Sequence, residues 1–370
     1  MAEPWLLATP RRVLRAGPGT PVVVQAGAGQ LGRLARAAAQ ELAGAPDGHV
    51  VAGAIPYDEQ TPAALTIAAV TITPRPKRPQ ACPIVPPFSG AAPPDVDQAY
   101  VTAVAHLVHR LRAGAAEKVV LARHVDLGGP LVGTASDVAD RLMERYPSAY
   151  VFRVELPSPA GERQRVLLGA SPELLLTRRG EGLILNPLAG SAPRHPDPVR
   201  DRAHARALLL SPKDRREHQL LTEELAKRLA PLCSRLDVPT RPAVKTAGPL
   251  WHLSTLIRGR LRHPAPSSLE LTALLHPTAA VCGVPQAAAR ELIAEFERAP
   301  REFYTGLVGW TDRHGDGQWV IALRCAMLDH RGLRLYAGAG ILPASRPQAE
   351  HAETARKLST MHDVLSYAHP

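Results

Sequence analysis

Cysteine is scarce: Cys82, Cys233, Cys282 and Cys325 are the four in 370 residues, and none is in C-x-x-C spacing. That excludes a zinc ribbon and a disulfide framework, and it fits a reducing compartment. Aromatic residues make up only 4% of the chain. The basic residues therefore have few aromatics between them, and despite a net charge of +10 nucleic-acid binding is not expected. No apolar run approaches a membrane span, and the opening MAEPWLLATPRRVL holds none long enough for a signal peptide. A Walker-type phosphate loop is absent, and no Ser-His-Asp or Cys-His system stands out by spacing. The expectation is a cytoplasmic protein with no membrane partner.

What is present is ample apolar material, 45% of residues, enough for a sizeable core. Eight prolines fall within residues 74–94. No helix or central strand tolerates that density, so the stretch reads as an extended surface connection. It divides an N-terminal part, residues 1–94, from a catalytic region, residues 95–370, within one globular unit. A positive field of this size would steer an anionic substrate.

Gly27, Gly29 and Gly32 form G-x-G-x-x-G between an apolar run, Pro21 to Val24, and a helical run, Leu31 to Leu42; Val50 to Ile55 could be the next strand. This is the outline of a dinucleotide-binding unit, but no acid clearly ends the second strand, so the preferred reading is a glycine turn before an outer helix. Helices are expected after Asp95 or Asp97, ending at Gly114, and over Ser136 to Arg145 and Gln286 to Phe296. Strands are expected over 117–127, Ala149 to Leu156, Gln164 to Gly169 with a turn at Gly161, Leu174 to Arg178 and Gly182 to Leu185, the last four as one meander. Further strands are expected over 250–261, Phe303 to Thr311, Gln318 to Leu328 and Leu333 to Ala337, while 186–194 reads as a turn-rich loop.

Two helices carry acids in the same pattern. One begins at Ser211 with Pro212 at its first position and presents Asp214 and Glu217. The other presents Glu350, Glu353 and Lys357 on one face. Four carboxylates on two helices suit a hard divalent cation. Glycines at 338 and 340 read as a loop whose amides can approach an anion. Arg324 among apolar strand residues wants an anionic partner. Glu173, embedded in LLGASPELLL, would have a raised pKa and could serve as a general acid. Lys118 opens its strand and, buried among cations, could serve as a base. Together these parts suit a small substrate with more than one carboxylate.

The stretches GAIPYD (53–58), KVVLAR (118–123), LGASPELLL (168–176), NPLAGSAPR (186–194), KDRREHQL (213–220), LWHLST (250–255), LHPTAAVCGVP (275–285), GLVGW (306–310), IALRCAML (321–328) and the run from AGAGILPAS to KLSTM (337–361) occur in that order. In this series the chain resembles the chorismate-utilising enzymes, most closely the isochorismate synthases. The resemblance implies an α+β fold, an α/β sandwich of two face-to-face antiparallel β-sheets with helices outside, and a site between the layers. It implies Mg²⁺ held directly by Glu217 and Glu350, with Asp214 and Glu353 in support. It casts Lys118 as the base that activates water for attack at C2 of chorismate, and Glu173 as the acid for the departing C4 hydroxyl. Arg324 and the amides of Gly338 and Gly340 would hold the enolpyruvyl carboxylate, and Lys357 would sit beside the metal and the ring carboxylate. Gly190, Ser191, His252, Ala280 and Tyr304 would line the pocket.

Lys118 and the PLAGS motif separate the chain from the ammonia-using members of the family. No glutamine amidotransferase subunit is expected, and a monomer suffices. The product would feed siderophore, salicylate or menaquinone synthesis. Ala280 and Val281 match the isochorismate synthase pattern, whereas Tyr304 matches salicylate synthases, which go on to eliminate pyruvate; that activity is the alternative. A non-catalytic basic binding protein is the alternative of another class, and it would make the whole constellation a coincidence.

Overall fold

The structure, a computed structural model, describes residues 3–76, 97–128, 133–158, 164–330 and 332–365. Most of the proline-rich connection, Cys82, the alternative helix cap Asp95 and the Gly161 turn lie outside these residues.

One sheet runs in spatial order through β5 (Ala64–Pro74), β2 (Arg12–Ala16), β1 (Trp5–Ala8), β7 (Tyr150–Leu156), β8 (Arg165–Ser171), β19 (Cys325–Asp329), β20 (Gly332–Ile341), β6 (Lys118–Gly128) and β16 (Gly283–Val284). The other runs through β3 (Thr20–Pro21), β5, β4 (His49–Ile55), β17 (Leu307–Asp312), β18 (Gly317–Ile321), β9 (Leu174–Arg179), β10 (Gly182–Asn186), β15 (Ile257–Leu261) and β12 (Cys233–Asp237). The long strand β5 belongs to both. A small third sheet holds β11 (Leu188–Pro193), β14 (Leu250–Ser254) and β13 (Ala243–Ala247). All these pairings are antiparallel, so the expected sandwich is present.

Burial explains the layering. Trp5, Leu7, Phe152, Leu167 and Met327 from the first sheet meet Val50, Ala52, Val308 and Val320 from the second, forming a core between them. The opposite faces are covered by helices. Helix α3 (Ala135–Arg145) and α8 (Pro347–Leu365) pack on the first sheet. Helices α1 (Gln30–Gly44), α5 (Pro212–Leu229) and α6 (Ser268–Leu275) pack on the second. Helices α2 (Gln98–Arg112) and α7 (Gln286–Phe296) cover the β6 edge. Asp97 caps α2 by accepting from the Tyr100 amide. The apolar stripe of α2, Tyr100, Val101, Val104, Leu107, Val108 and Leu111, is buried as its spacing predicts.

Several expectations are corrected. The four strands from 149 to 186 are not one meander: β7 and β8 lie in the first sheet, β9 and β10 in the second. Residues 250–261 are two strands in different sheets, broken at Thr255–Leu256. The 186–194 loop is strand β11, kinked where its register with β14 shifts between Ala189 and Ala192. The apolar run from Pro21 to Val24 forms a strand only at Thr20–Pro21. Helix α4 (Pro198–Leu210) was not foreseen, because its apolar residues follow no helical stripe. The G-x-G-x-x-G stretch is a turn before α1: Gly29 is the N-cap at φ 73°, and its amide donates to Glu59 (3.1 Å). The next strand, β4, is antiparallel to both its neighbours, which rules out a parallel dinucleotide-binding unit.

Candidate active site

Two crossings between the sheets build the site. The chain passes from β8 to β9 at Pro172–Glu173, and from β18 to β19 at Ala322–Arg324. The crossings are tied together: the Ala170 amide donates to the Arg324 carbonyl (3.1 Å) and the Ile321 amide to the Glu173 carbonyl (3.2 Å). Arg324 was expected within a strand. It instead sits at the break, at φ 49°, where an L-residue is strained. The break swings its buried guanidinium inward.

Beside these crossings lies a pocket lined by Glu173, Gly190, Glu217, His252, Ala280, Tyr304, Arg324, Gly338, Gly340, Glu353 and Lys357. Ser191 does not line it; its hydroxyl is buried without a partner. Gly338 and Gly340 lie in strand β20, not in a loop, registered opposite Ala122 and Val120 of β6. They also leave room. A Cβ at Gly340 would lie 2.2 Å from Glu217 Oε1 and 3.0 Å from Lys118 Cε. At Gly338 it would crowd the Tyr304 hydroxyl at 3.1 Å. Gly190 sits in the β11 kink at φ 66°, with Asp214 against the position of its missing side chain.

Glu173 is 4% exposed, and its carboxylate accepts only a long bond from the Leu188 amide (3.4 Å). Burial pushes its pKa up to about 7, against the pull of that amide, Lys118, Arg324 and Lys357. Lys118 is wholly buried, with Nζ 3.1 Å from Glu217 Oε1, an ionic contact without hydrogen-bond geometry. His252 is neutral: burial, then Arg324 and Lys357, bring it down to about 3. Its Nδ1 pairs with the Gly190 carbonyl (2.8 Å), which assigns the proton there and leaves Nε2 to accept from Arg324 (3.2 Å).

The four acids draw together electrostatically. Burial raises Glu350 and Asp214, and repulsion adds to it: Glu353 acts on Glu350, while Glu217 and Glu353 act on Asp214. Each of three carboxylates meets a lysine: Glu217 meets Lys118, Glu350 meets Lys213 (2.5 Å), and Glu353 meets Lys357 (2.6 Å). Lys357 also donates to the Gly338 carbonyl (2.8 Å). It was expected to face the substrate rather than Glu353; it lines the pocket and also pairs with Glu353, which lines the same wall. Against burial, Lys357 holds Glu353 down to about 2. Among the described residues no three acids converge on one point as metal ligands. The donors are nevertheless the hard oxygens that a divalent cation takes, and their mutual repulsion is what such a cation relieves.

Sequence reasoning missed Val120, Leu188, Thr305 and Tyr336 in the lining, and Lys213 as the partner of Glu350. Tyr336 stacks on Tyr304 with centroids 5.1 Å apart. Apolar lining residues carry no chemical signal in a sequence. Lys213 did carry one: it precedes Asp214 at the start of the acid-bearing helix.

The chain has a buried acid, a buried lysine and a pocket of mixed charge beside the sheet crossings, and residues 81–366 match the family model described as "Chorismate binding enzyme". The chain belongs to that family. Within it the likeness is to isochorismate synthases. It is 38% identical to isochorismate synthase DhbC of Bacillus subtilis over 378 residues, 99% of this chain and 94% of that protein. It is 45% identical to isochorismate synthase EntC of Escherichia coli over 249 residues, 67% of this chain and 62% of that protein. The solved structure of DhbC from Bacillus anthracis superimposes with a TM-score of 0.90 at 36% identity, covering 99% of this chain and 97% of that one. These relatives do not favour the salicylate synthase reading of Tyr304.

Proposed function

We infer that the protein converts chorismate to isochorismate, adding water at C2 while the C4 hydroxyl leaves. The observation that carries this reading is Glu173, a carboxyl group whose pKa of about 7 lets it hold a proton at neutral pH. In the reaction Lys118 takes a proton from water as the oxygen attacks C2. The ring double bond shifts, and Glu173 gives its proton to the C4 oxygen, which departs as water. One water enters and one leaves, so the substrate is isomerised without redox change. Arg324 is oriented by His252 and holds the enolpyruvyl carboxylate. Lys357, fixed on the Gly338 carbonyl, neutralises the ring carboxylate. Glu217 and Glu350 would hold Mg²⁺, with Asp214 and Glu353 behind them. Bound there, the ion would supply positive charge at the ring carboxylate as the double bond moves. Water as the nucleophile requires no ammonia-delivering subunit, which supports a monomer.

Incubation of the purified protein with chorismate and Mg²⁺, followed by product analysis, tests this. Isochorismate is expected, and excess EDTA should abolish its formation. Salicylate with pyruvate, or anthranilate when ammonia is supplied, would replace this reading. Full activity in EDTA would remove the metal from it.

A further inference from the structure

Arg301 lies behind the pocket wall and does not line the pocket. Its side chain is almost wholly buried, and every arm of its guanidinium is used. Nε donates to Glu297 Oε2 (2.8 Å), and Nη2 donates to Glu297 Oε1 (2.5 Å) and to the Val120 carbonyl (2.7 Å). Nη1 donates to the Val281 carbonyl (2.6 Å) and the Thr305 hydroxyl (3.3 Å). Its flat face covers the Tyr57 ring at 4.5 Å. Glu297 turns back on the same strand, accepting from the Ala122 amide (2.7 Å). Val120, Val281 and Thr305 all line the pocket, and they come from three separate segments. Val120 is two residues from Lys118. Val281 adjoins Ala280. Thr305 adjoins Tyr304 and is held at φ 59°, a costly conformation for a β-branched residue.

We propose that Arg301, paired with Glu297, is a positioning residue that sets Lys118, Ala280–Val281 and Tyr304 in register with one another. The planar fork is what lets one side chain fasten three backbones at once, and a lysine cannot reproduce it. Glu297 cancels the buried charge, so the cluster exerts geometry on the pocket rather than a field. This deepens the proposed chemistry and rests on it.

A second cleft makes the test sharp. Glu297 and Arg301 line it together with Arg123 and His124, so a small cation can reach the Arg301 position from outside the reaction pocket. Arg301→Ala should lower kcat for chorismate by about 10²-fold, the order expected for a misplaced reacting group, with KM changed only a few-fold. Millimolar methylguanidinium should then restore about ten-fold of the lost rate, while sodium chloride at equal ionic strength restores none. Arg301→Lys should remain impaired. Thr305→Val, which removes the hydroxyl's bonds to Arg301 and to the Tyr304 carbonyl and leaves the charges alone, should lower kcat in the same sense and carries the test should Arg301→Ala not fold. Lost stability with no rescue, or unchanged kcat in Arg301→Lys and Thr305→Val, would overturn the proposal. Wild-type protein that left chorismate untouched would instead sink the underlying reading.

Discussion

Glu173 shows how one residue trades stability for function. Burial at a sheet crossing favours the protonated carboxyl, the form that the proposed acid needs. Its folded pKa of about 7 exceeds the ordinary 4.5 of a glutamate, so the folded state holds a proton that the unfolded chain releases. Stability is therefore lost as pH rises from the unfolded value through about 7, by on the order of 3 kcal/mol when complete. Glu173→Gln should abolish turnover yet melt higher than wild type at pH 8, with the difference shrinking towards pH 4, as thermal melts would reveal. In wild type, kcat/KM should fall above about pH 7 as the acid form disappears. Lys118→Ala should remove water addition, lowering kcat by at least about 10²-fold while substrate still binds; equilibrium binding beside turnover measures both. The sequence offered Glu173 as a possible acid and Lys118 as a possible base, and the resemblance gave each its particular step. An apolar neighbourhood hinted at a raised pKa for Glu173, but an alternating strand could equally have pointed it to solvent.

At the scale of elements, the site depends on helix α5 starting in the right place. Ser211 ends α4 and caps α5, its hydroxyl accepting from the Asp214 amide (3.3 Å), and Pro212 occupies the first turn. The cap therefore orients the turn that carries Asp214 and Glu217. Ser211→Ala should cost about 1 kcal/mol in denaturant melts. It should also weaken Mg²⁺ activation, read as a higher Mg²⁺ requirement at unchanged substrate affinity. This start was legible from Ser211, Pro212 and Asp214 alone. The glycines of β20 were not. Gly338 and Gly340 look the same in a phosphate-type loop and in a strand that must clear Glu217 and Tyr304, and only the pairing with β6 separates the two. Arg324 was misplaced for a similar reason, since apolar residues on both sides masked a strand break.

For the whole molecule, the net charge of +10 gives a long-range field that the pocket's own cations, Arg324 and Lys357, focus. Raising the ionic strength should lower kcat/KM for the dianionic substrate several-fold, with kcat nearly unchanged; initial rates across a salt series check this. The described residues contain no helix long and apolar enough to cross a membrane. The sandwich itself brings distant segments together. Glu173, Glu217 and Arg324 line one pocket, with Lys118 against Glu217, because β6, two sheet crossings and α5 come together there.

The sequence by itself determined most of the elements, the capped acid helix and, through ordered motifs, the family. These are short-range properties, in which periodicity, caps and residue type act within a few turns or strands of chain. Only the tertiary structure decided where the chain crosses between sheets, that the two glycines lie in a strand where a Cβ would meet Glu217 and Tyr304, and that each of three acids meets a lysine. It also decided that Arg301 fastens three walls of the pocket. Those outcomes follow from which strands pair and what burial does to charge, and both are set by contacts between residues far apart in the chain.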